Sequence, residues 1–582
     1  MPKNSSNQTN EKKQDKITSG RESFLIGDDN QPKASRSIHI LCIGICIIFA
    51  IWVWLLNPID RLFDDQLNIV TLQLTEDHPE NFARDPIYGG NAGDFYPSAY
   101  QSIIRWLTNR FGLIGGHRIA QFPLMVAYLA VMYFVLYALT RSASAALLIA
   151  LFSALWHDSM GGSYWGMGRM QTVQPRSLVL IWAPLLLIMA WKYRRSWMLM
   201  VVFFVLGLLI NISPPGALFF AAAVWIATLF EGRITKQKLL YLGSAFAALL
   251  IGAAPFIYCH ITARTGLAAD LSIQDRQLFM QALQFRFSQM SSFPVPLKTV
   301  CTVLLRFSVP LLLAAAGWVV RGKKRNALDW WLLIFFLFSA VGYVVLQYLM
   351  QKISASMQQT PPIVNIHRGQ KNAYLVLYIY GAIFLRYLFL QIGRIDRRTL
   401  IAIGAAVIFA MPLITFARQA DNPDRQWSSN VSHFSKLMRG EKIETIGWYP
   451  MVIPVARWAR ENTPPDSLFL FAHYNMPLFR IYALRSMVSS SGCGGIALYN
   501  GPRRMIYWYK AQKVLMNTKT KRGVEQLAKF AEDTGSDYII LSRNTPSVPG
   551  WSPVAYDNYW IVYAPASSPP AKPTRIRDYG LK

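Results

Sequence analysis

The chain has 582 residues, of which 53% are hydrophobic and only 15% charged, with 18 Trp and a formal net charge of +28. A soluble chain would carry charge on about a quarter of its residues, so a string of soluble domains is excluded. The apolar excess falls in runs of roughly 17–22 residues, the length that spans a bilayer core, and defines a polytopic membrane protein.

Residues 1–36 are polar and mixed in charge, which predicts a disordered cytoplasmic tail. The next run, SIHILCIGICIIFAIWVWLL, is too long for a signal-peptide core and follows too long a tail, so it reads as an uncleaved first span. Further apolar runs lie near 119–139, 142–157, 178–191, 198–212, 215–231, 239–259, 299–319, 329–350, 373–390 and 399–417. Together they predict about 11 transmembrane helices within residues 37–417, the shortest of which could instead be re-entrant or buried. Lys and Arg crowd into WKYRRSW (191–197), EGRITKQK (231–238), RGKKR (321–325) and RIDRR (394–398). A cytoplasmic N-terminus puts all four loops on the cytoplasmic side, as the positive-inside rule requires. Segments 57–118, 158–177, 260–298, 351–372 and 418–582 then face outward.

The last of these, 418–582, reads as an extracytoplasmic α/β domain. SLFLFA (467–472), DYIIL (537–541) and YWIVYA (559–564) have strand length and composition. Helical spacing runs through VARWAREN, stopped by Pro464 and Pro465, through YWYKAQKVLMN (507–517), and through 522–536, ending at Gly535. No glycine-rich nucleotide loop follows a strand, so a Rossmann site is not expected. Cys42, Cys46, Cys259, Cys301 and Cys493 offer neither a disulfide framework nor a metal-ligand spacing, and read as small apolar fillers.

The first external loop departs from the basic character of the chain. Between Asn57 and Tyr100 it carries Asp60, Asp64, Asp65, Glu76, Asp77, Glu80, Asp85 and Asp94, opposed only by Arg61 and Arg84. Helix capping, in the helices expected at LNIVTLQL and SAYQSIIRWL, accounts for some of these acids. Asp64 and Asp65 stand apart because they sit some eight residues beyond the span, at headgroup depth. Adjacent carboxylates repel, which suits one of them to act as a base or a cation ligand.

A first span followed at once by Phe63-Asp64-Asp65 resembles the acidic motif in the first external loop of GT-C glycosyltransferases, the membrane enzymes that use lipid-phosphate sugars. Protein mannosyltransferases, aminoarabinose transferases and oligosaccharyltransferases belong to that group, and Asp65 stands where several members carry Glu. The stretch WARENTPPDSLFLFAHYNMPLFRIYALRSMV (458–488) is similar to one in uncharacterised bacterial GT-C-like proteins. In those a W-x-x-x-N-T-P-P-D-x-x-F segment precedes a strand and an F-R-x-x-x-x-R-S segment follows it. The resemblance implies an inverting transferase in the bacterial inner membrane, moving a sugar from a polyprenyl-phosphate donor to a glycan, lipid or protein acceptor at the external face. It implies Asp64 as the catalytic carboxylate, with Asp65 in support. The acceptor's nucleophile attacks the anomeric carbon, the carboxylate takes its proton, and the lipid phosphate leaves.

A departing phosphate calls for cations, and Arg176, Arg368 and Lys371 lie at the mouths of spans; lipid anchoring is the competing reading for all three. Asp85 and Asp94 are candidate substrate-binding acids that could equally shape turns in ARDPIYGGNAGDFYPS. Arg480 and Arg485 could touch an anionic lipid or hold the C-terminal domain on the membrane part; ion pairs within the domain are the favoured expectation. No metal ligand set is assigned; a divalent cation stays open, and no organic cofactor is expected. The partners implied are the bilayer, the lipid-linked donor and the acceptor, and nucleic acid is not among them. A transporter or flippase of a lipid-linked substrate is the alternative, as is a non-catalytic assembly factor. The spans are poor in the ionisable residues that transporters keep at the midplane.

Overall fold

The computed structural model describes residues 34–56, 62, 65–90, 92–95, 98–155, 175–264, 271–286, 296–356, 366–392, 394–419, 423–443, 451–472, 478–566 and 573–576. Every one of the eleven apolar runs is helical within them. Among the described residues six helical stretches are long and apolar enough to cross a membrane: Arg36–Leu56, Leu113–Thr140, Pro175–Tyr193, Lys236–Ile261, Ala327–Met350 and Arg368–Gln391. Ala143–Leu155, Met198–Ile210, Pro214–Phe230 and Arg398–Ile414 are shorter apolar helices. These helices do not confirm the expected eleven spans, since a short apolar helix can be buried in protein as well as in lipid.

Close helix contacts are made where side chains are smallest. Helices Met198–Ile210 and Lys236–Arg264 cross at Gly207 and Gly252, and a Cβ on Gly207 would lie 2.9 Å from the Gly252 Cα. Just beyond, Pro255 interrupts the second helix, and Asn211 bridges the break. Its amide nitrogen donates to the Gly252 carbonyl at 2.9 Å while its oxygen accepts from the Phe256 N–H at 2.9 Å.

The C-terminal region holds one six-stranded mixed sheet in the order β2-β1-β3-β5-β4-β6, from β1 (Leu468–Phe471), β2 (Ser486–Met487), β3 (Tyr538–Ser542), β4 (Trp551–Tyr556), β5 (Trp560–Pro565) and β6 (Thr574–Arg575). β1 runs parallel to β2 and β3, and β5 runs antiparallel to β3 and β4. Alternation along β1 sends Phe469 and Phe471 into one core with helix Ile453–Asn462, and Leu468 and Leu470 into another with helix Lys521–Asp533. Helices on both faces bury the sheet, which is why its strands read as continuous apolar runs. β1, β3 and β5 are where the sequence places strands. β2 and β6 are too short to show a period, and β4 contains Pro553 with a register shift beside it.

Helix Lys521–Asp533 ends in a Schellman motif. The Ser536 N–H donates to the Ala531 carbonyl at 2.8 Å and Gly535, at φ +63°, donates to the Glu532 carbonyl at 3.0 Å.

Candidate functional site

The helix Asp65–Asp77 begins at Asp65, the second of the adjacent acids. Asp64 lies outside the described residues. From Gln66 to Gln73 every residue is buried, polar ones included, so this is an enclosed helix rather than a surface one. Leu67 and Val70 join a core with Phe49, Val53 and Trp54 of the first span and with Leu478 and Ile481 of the C-terminal domain. Leu72 joins a second core with Ile87, Tyr88, Cys493 and Trp508. Thr71 and Thr75 satisfy their hydroxyls within the helix, on the carbonyls of Leu67 and Thr71. Asn68 instead reaches out: its oxygen accepts from the Tyr88 hydroxyl at 2.6 Å and its nitrogen donates to the Gly492 carbonyl at 3.2 Å.

Tyr88 belongs to a turn held by Asp85. The Asp85 carboxylate accepts from the backbone N–H groups of Ile87 at 3.0 Å and Tyr88 at 2.9 Å, which pins the turn DPIY. It also accepts from the Arg480 Nε at 2.6 Å and from the Met487 N–H at 3.1 Å. Arg480 is 1% exposed, sits 4.8 Å from the centre of the Tyr88 ring and donates a further bond to the Met487 carbonyl. Burial is the largest single influence and lowers the Arg480 pKa; the Asp85 charge and hydrogen bond together with Cys493 and Tyr88 outweigh it and raise the value, so the guanidinium stays a cation in the interior. Arg504 braces the same turn, donating to the Ile87 and Gly89 carbonyls at 2.9 and 3.0 Å. Arg84 adds a half-exposed ion pair to Asp537 at 2.7 Å.

These contacts join the two sequence segments singled out in the C-terminal domain. Arg485 donates to the Arg460 carbonyl at 2.8 Å, to the Thr463 carbonyl at 2.6 Å and to the Thr463 hydroxyl at 3.2 Å, closing the end of helix Ile453–Asn462. Arg480, five residues earlier, turns toward the first external loop. One short helix, Leu478–Ala483, thus carries the arginine that crosses to the loop, and the arginine that closes the domain's own helix follows it. The expectation that Arg480 pairs within its domain is corrected: its carboxylate partner is 395 residues away in the first external loop. Helix Leu478–Ala483 packs directly on helix Asp65–Asp77, and that packing brings the two together.

The other candidate cations lie on separate helices and turns of the bundle. Ile69 clusters with Tyr100 and Ile104, and packed against these are Ala120, Leu124, Leu178 and Ile212. Arg176 is half-buried and lies two residues before Leu178 on helix Pro175–Tyr193. His117 and Arg118, which sequence reasoning passed over, are both fully buried just before Ala120, and Arg118 donates to the Gln121 side chain at 3.0 Å. Their signal was a basic pair at the head of an apolar run. Arg368 and Lys371 lie on the 3-10 turn Ile366–Asn372, half-buried and buried respectively, against helix Pro214–Phe230. Asp94 lies on the turn Ala92–Phe95, next to the Gly93 carbonyl that accepts from Gln101 at 3.1 Å. Among the described residues no group of three or more His, Cys, Asp or Glu could hold a metal ion.

The described fold defines a class, a bundle of apolar helices carrying a C-terminal α/β region joined to the loop after its first helix. No family model matches the chain, and no curated protein matches it. Among solved structures it is similar to one described as the crystal structure of ArnT from Cupriavidus metallidurans bound to undecaprenyl phosphate. The identity is 11% and the TM-score 0.45, over 93% of this chain and 100% of that one.

Proposed function

We propose that the protein is an integral membrane glycosyltransferase that moves a sugar from a polyprenyl phosphate to an acceptor at the extracytoplasmic face. The observation that supports this reading is the enclosed helix that begins at Asp65: its Ile69 clusters with Tyr100 and Ile104, and packed against them are Ala120 and Leu178, each two residues from an arginine, the buried Arg118 and the half-buried Arg176. Acids at the start of that helix and arginines on other elements are the residue types suited to a reaction in which positive charge grows on a sugar ring and negative charge on its leaving phosphate.

Asp64 takes the proton from the acceptor's nucleophile as that atom attacks the anomeric carbon, and Asp65 supports it. The glycosidic bond to the phosphate breaks, and the polyprenyl phosphate leaves with the bonding pair, held by Arg176, Arg368 and Lys371. Asp94 is a contact for the acceptor or the sugar. Asp85 began as a candidate for the same role; because both of its oxygens are taken by protein donors, it serves the site by holding the loop in place.

The test is Asp64→Asn, followed by mass spectrometry of lipid-linked sugars and envelope glycans. A general base contributes about 10²–10⁴-fold, so turnover should fall by at least a hundredfold and the donor should accumulate. Unchanged turnover in a folded Asp64→Asn protein removes the assignment.

A further inference from the structure

We propose that the C-terminal domain positions the acidic head of helix Asp65–Asp77 through one buried relay, Arg480 to Asp85 to Tyr88 to Asn68. That this head does chemistry rests on the reading above; the mechanical coupling does not.

Each link is a short bond between fully or nearly buried groups. Arg480, from the domain, binds Asp85 at 2.6 Å. Asp85 fixes the backbone of Tyr88 at 2.9 Å, and the Arg480 guanidinium lies against the Tyr88 ring. The Tyr88 hydroxyl then binds Asn68 at 2.6 Å, and Asn68 donates back to Gly492 of the domain at 3.2 Å. Asn68 is three residues after Asp65, on the same face one turn along. Rotation or translation of the first turn would break both Asn68 bonds at once, in an interior where each lost partner leaves an unsatisfied polar group.

An enclosed helix with an all-apolar surface could slide in its seat, since dispersion contacts are individually weak and nondirectional. Asn68 supplies the direction. Asn68, which the helix does not satisfy internally, therefore has a purpose: it indexes the acidic head against the domain. Arg84–Asp537 also ties loop to domain but is half-exposed and does not touch Asn68, so it gives an internal control.

The experiment is hydrogen–deuterium exchange on the full chain in nanodiscs, comparing wild type, Tyr88→Phe and Arg84→Ala. Tyr88→Phe keeps the ring against Arg480 and removes the hydroxyl that binds Asn68, a small change that retains the fold. Amides of residues 66–72 should exchange about fivefold faster in Tyr88→Phe, the loss expected for one buried hydrogen bond, while β1 and β3 and the Arg84→Ala protein stay at wild-type rates. Unchanged exchange in Tyr88→Phe, or equal acceleration in Arg84→Ala, overturns the relay. Where the wild type turns over a polyprenyl-phosphate sugar, Tyr88→Phe should lower kcat about tenfold with KM for that donor unchanged, because misplacement of a reacting group acts on the transition state. A raised KM with unchanged kcat overturns the positioning role. Absence of turnover in the wild type counts against the transferase reading alone, and the exchange data still decide the relay.

Discussion

In the membrane bundle Asp329 is held by Arg321, eight residues away; at the first external loop Asp85 is held by Arg480, 395 residues away. Both carboxylates are fully buried and both are saturated. Asp329 accepts from Arg321 at 2.7 Å, from the Tyr380 hydroxyl at 2.8 Å and from the Asn326 N–H at 2.7 Å, the last as half of a capping box at the start of helix Ala327–Leu337. Asp85 accepts from one guanidinium and three backbone amides drawn from two distant segments. The same chemistry closes a local turn in one place and joins two domains in the other. The partner left behind also differs: the Arg321 side chain is 8% exposed and that of Arg480 1%, so only the first has a route back to solvent.

Substitutions at the two pairs put this difference under test. Asp85→Ala strands a buried guanidinium, which costs about 3–5 kcal/mol, and should be read as lost cooperative unfolding of the C-terminal domain with new protease cleavage in 57–118. A loss below about 1 kcal/mol would mean that the long-range pair is no anchor at all. Asp329→Asn keeps a capping oxygen and leaves an arginine that can re-solvate, so about 2–3 kcal/mol is expected in the melt of the bundle, with the external loop still protected. Should the two variants prove equal, the argument from exposure is wrong. Arg485→Ala uncaps helix Ile453–Asn462 and should cost about 1–2 kcal/mol, detectable as faster amide exchange in its last turn. Gly535→Ala forces a Cβ into a positive φ and should cost about 1 kcal/mol in the same domain's unfolding, without touching either ion pair.

The smallest effect is on alkaline stability. Tyr507, at the Asp85–Arg480 site, has its phenol pKa raised by burial and by the Asp85 charge, and burial raises Tyr538 and Tyr563 as well. A raised folded-state value means that the native protein keeps its protons longer than the unfolded chain. Stability from these groups is therefore complete below the ordinary phenol value of about 10 and is lost as pH rises above it. Asp85→Ala removes one cause of the Tyr507 shift, so its alkaline loss should be shallower than that of wild type in pH-dependent melting curves.

Much of the scaffold was legible in the sequence because apolar run length and period are local properties. Each expected apolar run is a helix, β1, β3 and β5 sit on their expected residues, and Gly535 ends its helix as a positive-φ residue does. The two-residue strands were hidden because a period needs more residues than they have. At the site, the helix beginning at Asp65 was legible from LNIVTLQL. The role of Asp85 was not, since DPIYGG reads as a turn whatever its carboxylate later touches. Arg480 was visible as a charge near apolar residues, but a guanidinium in FRIYALRS carries no mark of a partner hundreds of positions earlier. Asn68 and Tyr88 gave only a weak signal, a polar residue inside an apolar helix and an aromatic one inside a turn.

Composition and period by themselves determined that this chain builds apolar helices, an acidic loop after the first of them and an α/β domain at the end. They do so because hydrophobicity, helix capping and strand alternation act over a few residues. Only the tertiary structure decided that the loop is locked into the domain and that the acidic helix is enclosed between them. Those contacts arise from which buried charges and amides find one another once the chain has folded, and long-range pairing leaves no local trace.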